Sequence, residues 1–291
     1  MALFHFTVKP SAPPGVGASC LRKTFPRHGC RACAAVCPVG AIACSAGGAR
    51  IDDEKCVRCG NCLFVCPTDA PENLQPLSRK VRANYLVAPF SATVTPQELL
   101  LWHHQHAIRG VEMDIAAHPA WALAVAALNI TLRELNETQW RIIPPAARAV
   151  DVSRRHWLRV AEEDARSARV TAGREARGNA SYGKSAWRLT LDRSRCVACG
   201  ACARACPEEA LRFTPAALEW TSANCTGCNG CAAVCFADAI SIEAQRAQPQ
   251  HERFPLMQKT CRSCGHTFST FTPDADRCHI CRRHAFAMRE A

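Results

Sequence analysis

Cysteine spacing is where this chain shows its chemistry. Cys196, Cys199, Cys202 and Cys206 form a C-x2-C-x2-C-x3-C run followed by Pro207. Three thiolates two residues apart in a tight loop can each hold one iron of a cubane. A fourth then reaches in from further along the chain, so the run suits a [4Fe–4S] cluster. Cys56, Cys59, Cys62 and Cys66-Pro67 repeat the run, as do Cys225, Cys228, Cys231 and Cys235, and Cys30, Cys33 and Cys37-Pro38 form a partial copy. The fourth cysteine of such a run usually serves a second cluster, so runs are expected in twos. The chain supplies two such pairs.

Disulfides or zinc are the competing uses of so many thiols. Disulfides need an oxidising compartment. The start Met1-Ala-Leu-Phe-His-Phe has no charged n-region, apolar h-region or twin arginine. No stretch of eighteen apolar residues offers a membrane span, and the longest candidate, Trp121 to Ile130, is too short. A cytoplasmic, thiol-reducing location is the expectation. Zinc would fit any one C-x2-C pair, but it explains interlocked runs at cubane spacing poorly.

The formal charge is +11, from 36 Lys and Arg against 25 Asp and Glu. Read alone, that would suggest nucleic acid or membrane binding. However, an oxidised tetrathiolate cubane carries about −2, so four would remove about eight charges, and a tetrathiolate zinc about two more. The arginines then balance buried anionic clusters, and no nucleic-acid partner is expected. Low aromatic content (7%) also argues against a base-stacking platform.

The cysteines are distributed in blocks. Nine lie within residues 20–72, none within 79–188, eight within 189–245 and four within 255–291. A repeated module therefore flanks a cysteine-free insert. The expected fold class is α+β: a flexible or extended lead-in (1–19), a first two-cluster module (20–78), an α/β insert (79–150), a charged helix and linker (151–188), a second module (189–245) and a zinc-ribbon-like knuckle (255–291).

The two modules resemble the bacterial two-cluster ferredoxins over about 110 residues. Three runs end in that family's small apolar stretch: Pro38-Val39-Gly40-Ala41-Ile42, Pro207-Glu208-Glu209-Ala210-Leu211 and Phe236-Ala237-Asp238-Ala239-Ile240. The resemblance implies a pseudo-twofold α+β sandwich. It assigns Cys196, Cys199, Cys202 and Cys235 to one cluster, and Cys225, Cys228, Cys231 and Cys206 to its partner. Cys56, Cys59, Cys62 and Cys37 make a third set. The fourth site departs from the family, because Arg27 stands where the first cysteine of a full run would be. Cys30, Cys33 and Cys66 supply three ligands. Cys20 is the expected fourth, since it lies on the same side of the run as the missing residue, and Cys44 is the other candidate. If neither reaches, the site holds [3Fe–4S] or a cubane with an open or non-cysteine ligand. Cys44 is otherwise expected to be a small buried residue in a strand.

In the insert, 84–89 reads as a buried strand. Thr95-Pro96-Gln97-Glu98 has the features of a helix start, and Gly110 reads as that helix's stop. Val111–Ile115 alternates as a strand, 120–136 reads as a helix and 138–143 as a third strand, giving a small parallel sheet. This β-α-β-α-β order resembles the small delta subunit of methyl-viologen-reducing hydrogenase over about 60 residues. That family's [2Fe–2S] cysteines are missing here, so the insert is expected to dock a partner or to space the modules. His103, His104 and His106 point different ways on one helix and are expected on a solvated face. Residues 151–177 mix signs at helical spacing, as an exposed salt-bridged helix does, and 178–184 reads as a hinge.

Cys261-x2-Cys264-Gly265 and, thirteen residues on, Cys278-x2-Cys281 read as paired knuckles of a structural zinc site, with rubredoxin-type iron as the alternative. No catalytic residues stand out: there is no paired-carboxylate motif, nucleophile elbow or phosphate loop. The expected function is electron transfer by a polyferredoxin serving a hydrogenase, formate dehydrogenase or reductase. The alternative is a regulatory or maturation protein using the ribbon for interaction.

Overall fold

A computed structural model describes residues 12–25, 27–90, 93–145 and 165–283. The chain divides into two units, Met1–Thr24 with Gly29–Ala180, and Ser181–Ala291 with Phe25–His28.

In the first unit, the insert forms a five-stranded sheet. Tyr85–Val87, Gly110–Glu112 and Arg141–Ile143 run parallel, as the alternating pattern requires. Two antiparallel strands were not foreseen: Arg79–Arg82 pairs with Tyr85–Val87, and Arg166–Ala168 pairs with Arg79–Arg82. Of the charged helix expected over 151–177, residues 151–164 lie outside the described ones. Residues 166–168 are strand, and only Arg174–Asn179 is helical.

Helix Pro96–His106 starts as its sequence dictates, with Thr95 accepting the Glu98 amide at 3.1 Å. It stops at left-handed Ala107 (φ 52°), earlier than the expected glycine. Gly110 instead opens a strand. A Cβ there would lie 2.4 Å from the Arg141 carbonyl and 2.5 Å from the Tyr85 ring. Helix Pro119–Leu135 ends at left-handed Asn136. Between helices and sheet lie Leu99, Trp102, Ile108, Val111, Trp121 and Leu128, all buried. Arg79 and Glu98 form a buried two-pronged ion pair (2.5 and 2.9 Å), with Arg79 also over the Trp121 ring at 4.6 Å.

The cysteine-rich parts are built from much shorter pieces. In the first module these are the helices Leu21–Thr24, Ala32–Ala35 and Asn61–Val65 and the hairpin Ile42–Ser45/Gly48–Ile51. Part of the expected lead-in is tied down, since Gly15–Val16 pairs with Pro71–Glu72; residues 1–11 lie outside the described ones. In the second unit, Ser185–Leu191 pairs with Ile240–Ala247, while Leu211–Phe213, Ala217–Thr221 and His251–Pro255 make a three-stranded sheet. A hairpin, Met257–Thr260/Thr267–Thr270, and the helix His279–Arg283 follow. Among the described residues, no helix is long and apolar enough to cross a membrane.

Candidate metal centres

The three complete cysteine runs share one backbone scheme. The residue before the second cysteine is left-handed (Arg58, Ala198, Gly227), and so is the one after it (Gly60, Gly200, Asn229). These reversals curl each C-x2-C-x-x-C segment into a loop with the sulfurs inside. Gly227 must be glycine, because a Cβ there would lie 2.2 Å from the Trp187 ring. The third residue after the last cysteine of each of the four runs, the partial one included, is left-handed as well: Gly40, Asp69, Glu209 and Asp238. That turn swings the next amide back onto the thiol. Ala41, Ala70 and Ala239 donate N–H to Cys37, Cys66 and Cys235 Sγ at 3.2, 3.2 and 3.3 Å. Further back, Asp52 accepts the amides of Glu54 and Lys55, and Asp192 those of Ser194 and Arg195. These turns deliver Cys56 and Cys196. Sequence reading missed them, although an aspartate stands four residues before the first cysteine of both runs.

Thiols from separate runs line common hollows. Cys196, Cys199, Cys202 and Cys235 line one apolar hollow of about 450 Å³, counting space open to solvent. Cys37, Cys56, Cys59 and Cys62 line another of about 330 Å³. Cys20, Cys30, Cys33 and Cys66 line a third of about 400 Å³. Cys225 lies within electrostatic reach of Cys228 and Cys206, and accepts a hydrogen bond from the buried Trp220. Burial, then repulsion from the neighbouring thiols, pushes Cys33, Cys62 and Cys231 up to about 12 and Cys202 to about 11. Such crowded, buried sulfurs suit a group that brings its own positive charge. Apolar walls, inward amides and thiols from two runs fit a cubane.

The irregular site lacks the left-handed pair. Arg31, which precedes helix Ala32–Ala35, has φ −134° where the other runs carry Gly60, Gly200 and Asn229. Cys20 enters from the start of helix Leu21–Thr24, and Arg22 fixes that approach by donating to the carbonyls of Cys30 (2.6 Å) and Ser45 (2.7 Å). Cys44 stands on the strand Ile42–Ser45, half-buried where full burial was expected. It is close enough to raise the pKa of Cys33.

The four C-terminal thiols are arranged differently. The sulfurs of Cys261, Cys264, Cys278 and Cys281 all lie within 4.8 Å of one another, with Cys264 to Cys278 at 4.0 Å. Four sulfurs at zinc bond length form a tetrahedron with edges of about 3.8 Å, a spacing that fits one ion rather than a cubane. Cys261–Gly265 is the knuckle, with Gly265 left-handed and its amide bonded to the Cys261 carbonyl at 2.9 Å. An amide bond from Cys278 (3.3 Å) lowers Cys261 to about 6.

The histidines separate. His103 is buried, against the solvated face expected for it: its Nδ1 accepts from Trp140 Nε1 at 2.9 Å, and its Nε2 faces Glu137 at 3.4 Å. His104 is exposed, and His106 bonds the Arg169 carbonyl at 3.0 Å. They do not converge on a metal.

Residues 27–70 match the family model of a 4Fe-4S dicluster domain, and 189–212 that of a 4Fe-4S binding domain. These stretches are ferredoxin-type iron–sulfur domains; Cys20, Cys225–Cys235 and the ribbon lie outside them. The chain is 48% identical over 44 residues to a subunit of the ion-translocating oxidoreductase complex of Methanosarcina acetivorans (15% of this chain, 17% of that protein). It is 49% identical over 41 residues to a formate dehydrogenase iron-sulfur subunit of Wolinella succinogenes (14% and 20%). It is 34% identical over 74 residues to a probable iron-sulfur subunit of the Frd operon of Proteus vulgaris (25% and 46%). The chain thus spans less than half the length of each of these relatives.

Proposed function

We propose that this chain is a polyferredoxin-type electron carrier of a thiol-reducing, cytoplasmic compartment, serving a larger oxidoreductase. The observation that carries the reading is the recurrence of one backbone scheme, left-handed turns aiming amides at thiols, in both halves of the chain. Four [4Fe–4S] clusters would be held by Cys196/Cys199/Cys202/Cys235, Cys206/Cys225/Cys228/Cys231, Cys37/Cys56/Cys59/Cys62 and Cys20/Cys30/Cys33/Cys66. Zinc would be held by Cys261/Cys264/Cys278/Cys281.

The chemistry supplied by a bound cubane is the gain and loss of one electron. The chain's own residues set where that happens. Amides of Ala41, Ala70 and Ala239 stabilise negative charge on sulfur, Trp220 does so at Cys225, and the apolar walls exclude water. The donor and acceptor would be redox subunits of the kind the relatives' names describe. The insert would dock one of them or space the modules.

Anaerobically prepared protein should hold about sixteen irons and sixteen sulfides, the load of four cubanes, reducible in one-electron steps. About eight irons would mean an empty module and would sink the four-cluster carrier. The ribbon's single-ion geometry also favours a second reading, a regulatory or maturation protein. A native pull-down separates the two, since a carrier should co-purify with a flavo- or molybdoenzyme.

A further inference from the structure

One residue in the cysteine loops departs from its counterparts in chemistry. The position just before the third cysteine of each run is Ala32, Ala201 and Gly230 in three of them, and Asn61 in the fourth. Asn61 is 1% exposed and lines the hollow with Cys37, Cys56, Cys59 and Cys62. Its Nδ2 donates to Thr93 Oγ1 at 2.8 Å, and its Oδ1 is buried without a hydrogen-bond partner. A buried bare acceptor is costly anywhere. Beside an anionic tetrathiolate cluster, with only acceptors opposite, it is worse placed still. A half-turn of the amide changes its shape hardly at all, because the two ends are nearly the same size. That turn lets Oδ1 accept from the Thr93 hydroxyl and puts an Nδ2–H donor where the bare acceptor stood, in a residue that lines the hollow.

We propose that Asn61 tunes the cluster held by Cys37, Cys56, Cys59 and Cys62: with the cluster bound, its side-chain amide donates a hydrogen bond to a cluster sulfur. The inference rests on the ligand reading above. A donor at sulfur stabilises the electron-rich reduced form, so this cluster has a higher potential than it would with alanine at that position, as in the run at Cys196. The pair Thr93–Asn61 makes the site an electron sink within its module. Asn61 is a positioning residue for charge, not a ligand.

The test is an EPR-monitored titration of the full-length protein with dithionite. In Asn61→Leu, with iron content unchanged, one couple should fall by about tenfold in reduction equilibrium, about 59 mV for one electron. Asn61→Asp, which puts a carboxylate oxygen in place of the donor, should lower it further. Four unmoved couples in an iron-replete Asn61→Leu protein overturn the inference. Because a buried substitution can unfold the loop, the unmutated protein supplies a second readout. Labelled with 15N at asparagine side chains and reduced, it should show hyperfine coupling of that nitrogen to a cluster. Absence of the coupling, or its survival in Asn61→Leu, overturns the inference. Protein without iron would instead overturn the ligand reading on which it stands, and iron analysis tells the two failures apart.

Discussion

The insert and the cysteine modules bury their interiors with different material. The insert has helices of 11 and 17 residues, and packs Trp102, Trp121, Leu99, Leu128 and Leu132 between them and a sheet. In the modules the helices have four or five residues and the strands two to eight. Helices that short do not hold themselves. The insert's core holds no thiol, whereas the second module's core of Leu189, Leu218, Trp220 and Phe254 packs against Cys202, Cys206, Cys225 and Cys235. We expect folding and metal loading to be separable in the insert and coupled in the modules.

Stripping iron and zinc with a strong chelator under anaerobic conditions should sharpen that contrast most. The far-UV signal of the insert's two helices, the longest among the described residues, should survive. Amide exchange should lose protection throughout residues 29–72 and 189–245, while Leu99, Trp102 and Leu128 stay protected. A uniform loss of protection would mean that the insert leans on the clusters after all.

Next in size is the loss of one site. Cys20→Ser should remove about four of sixteen irons and leave the second module's spectrum intact, whereas Cys44→Ser should be nearly silent. The opposite result would transfer the ligand role to Cys44, which is near enough to Cys30 and Cys33 to act on both.

Arg79→Met attacks the other side of the comparison. It leaves the Glu98 carboxylate, 1% exposed, buried without its ion partner, a change that costs about 3–5 kcal/mol. Denaturant should unfold the insert earlier by that amount while cluster absorption at low denaturant stays unchanged. Iron loss in the native variant would show the two regions to be one cooperative unit.

The ribbon lies between the two cases. By cysteine spacing alone, residues 255–291 form a knuckle separate from the two modules. The structure ties the segment to the second module: Leu256 donates its amide to the Ala216 carbonyl at 2.8 Å, the Ser269 hydroxyl bonds the Pro215 carbonyl at 3.1 Å, and Phe271 lines the hollow of Cys196 and Cys235. Deleting 257–291 should leave the two N-terminal sites full and lower iron retention at the Cys196 set. Cys278→Ser with Cys281→Ser should release zinc with a smaller effect on iron. Unchanged iron in the deletion would restore the independent ribbon.

What was legible in the sequence was whatever repeats or alternates. The cysteine runs, the Thr95-Pro96 start and the three parallel strands follow from spacing and period. Other features depend on partners distant in sequence. Arg166–Ala168 is a three-residue edge strand made by pairing with Arg79–Arg82, and nothing in its own charged sequence marks it. Ala107 stops a helix in a conformation usually left to glycine, so Gly110 drew the assignment. His103 looked solvated because its partners, Glu137 and Trp140, lie more than thirty residues away. Asn61 belongs to no motif, and only its burial and its distant partner Thr93 set it apart.

His103 gives the smallest expected effect, and one confined to the insert. Burial, then the nearby Arg109, lowers its pKa below 6.5, while Glu137 opposes the shift. His104 adds a small push downward, and Trp140 demands a lone pair on Nδ1. The folded state thus binds this proton less readily than the unfolded chain. The sign follows: this group costs nothing well above pH 6.5, and destabilises progressively as pH falls through 6.5 toward the lowered folded value. His103→Asn can keep an acceptor for Trp140 and removes the titration. Between pH 7.5 and 5.5, by differential scanning calorimetry, the unmutated insert should lose a few degrees of Tm more than the variant, on the order expected for a fraction of one buried charge. Parallel pH curves for the two proteins would show that Glu137 offsets burial and that folding leaves the proton affinity of His103 unchanged.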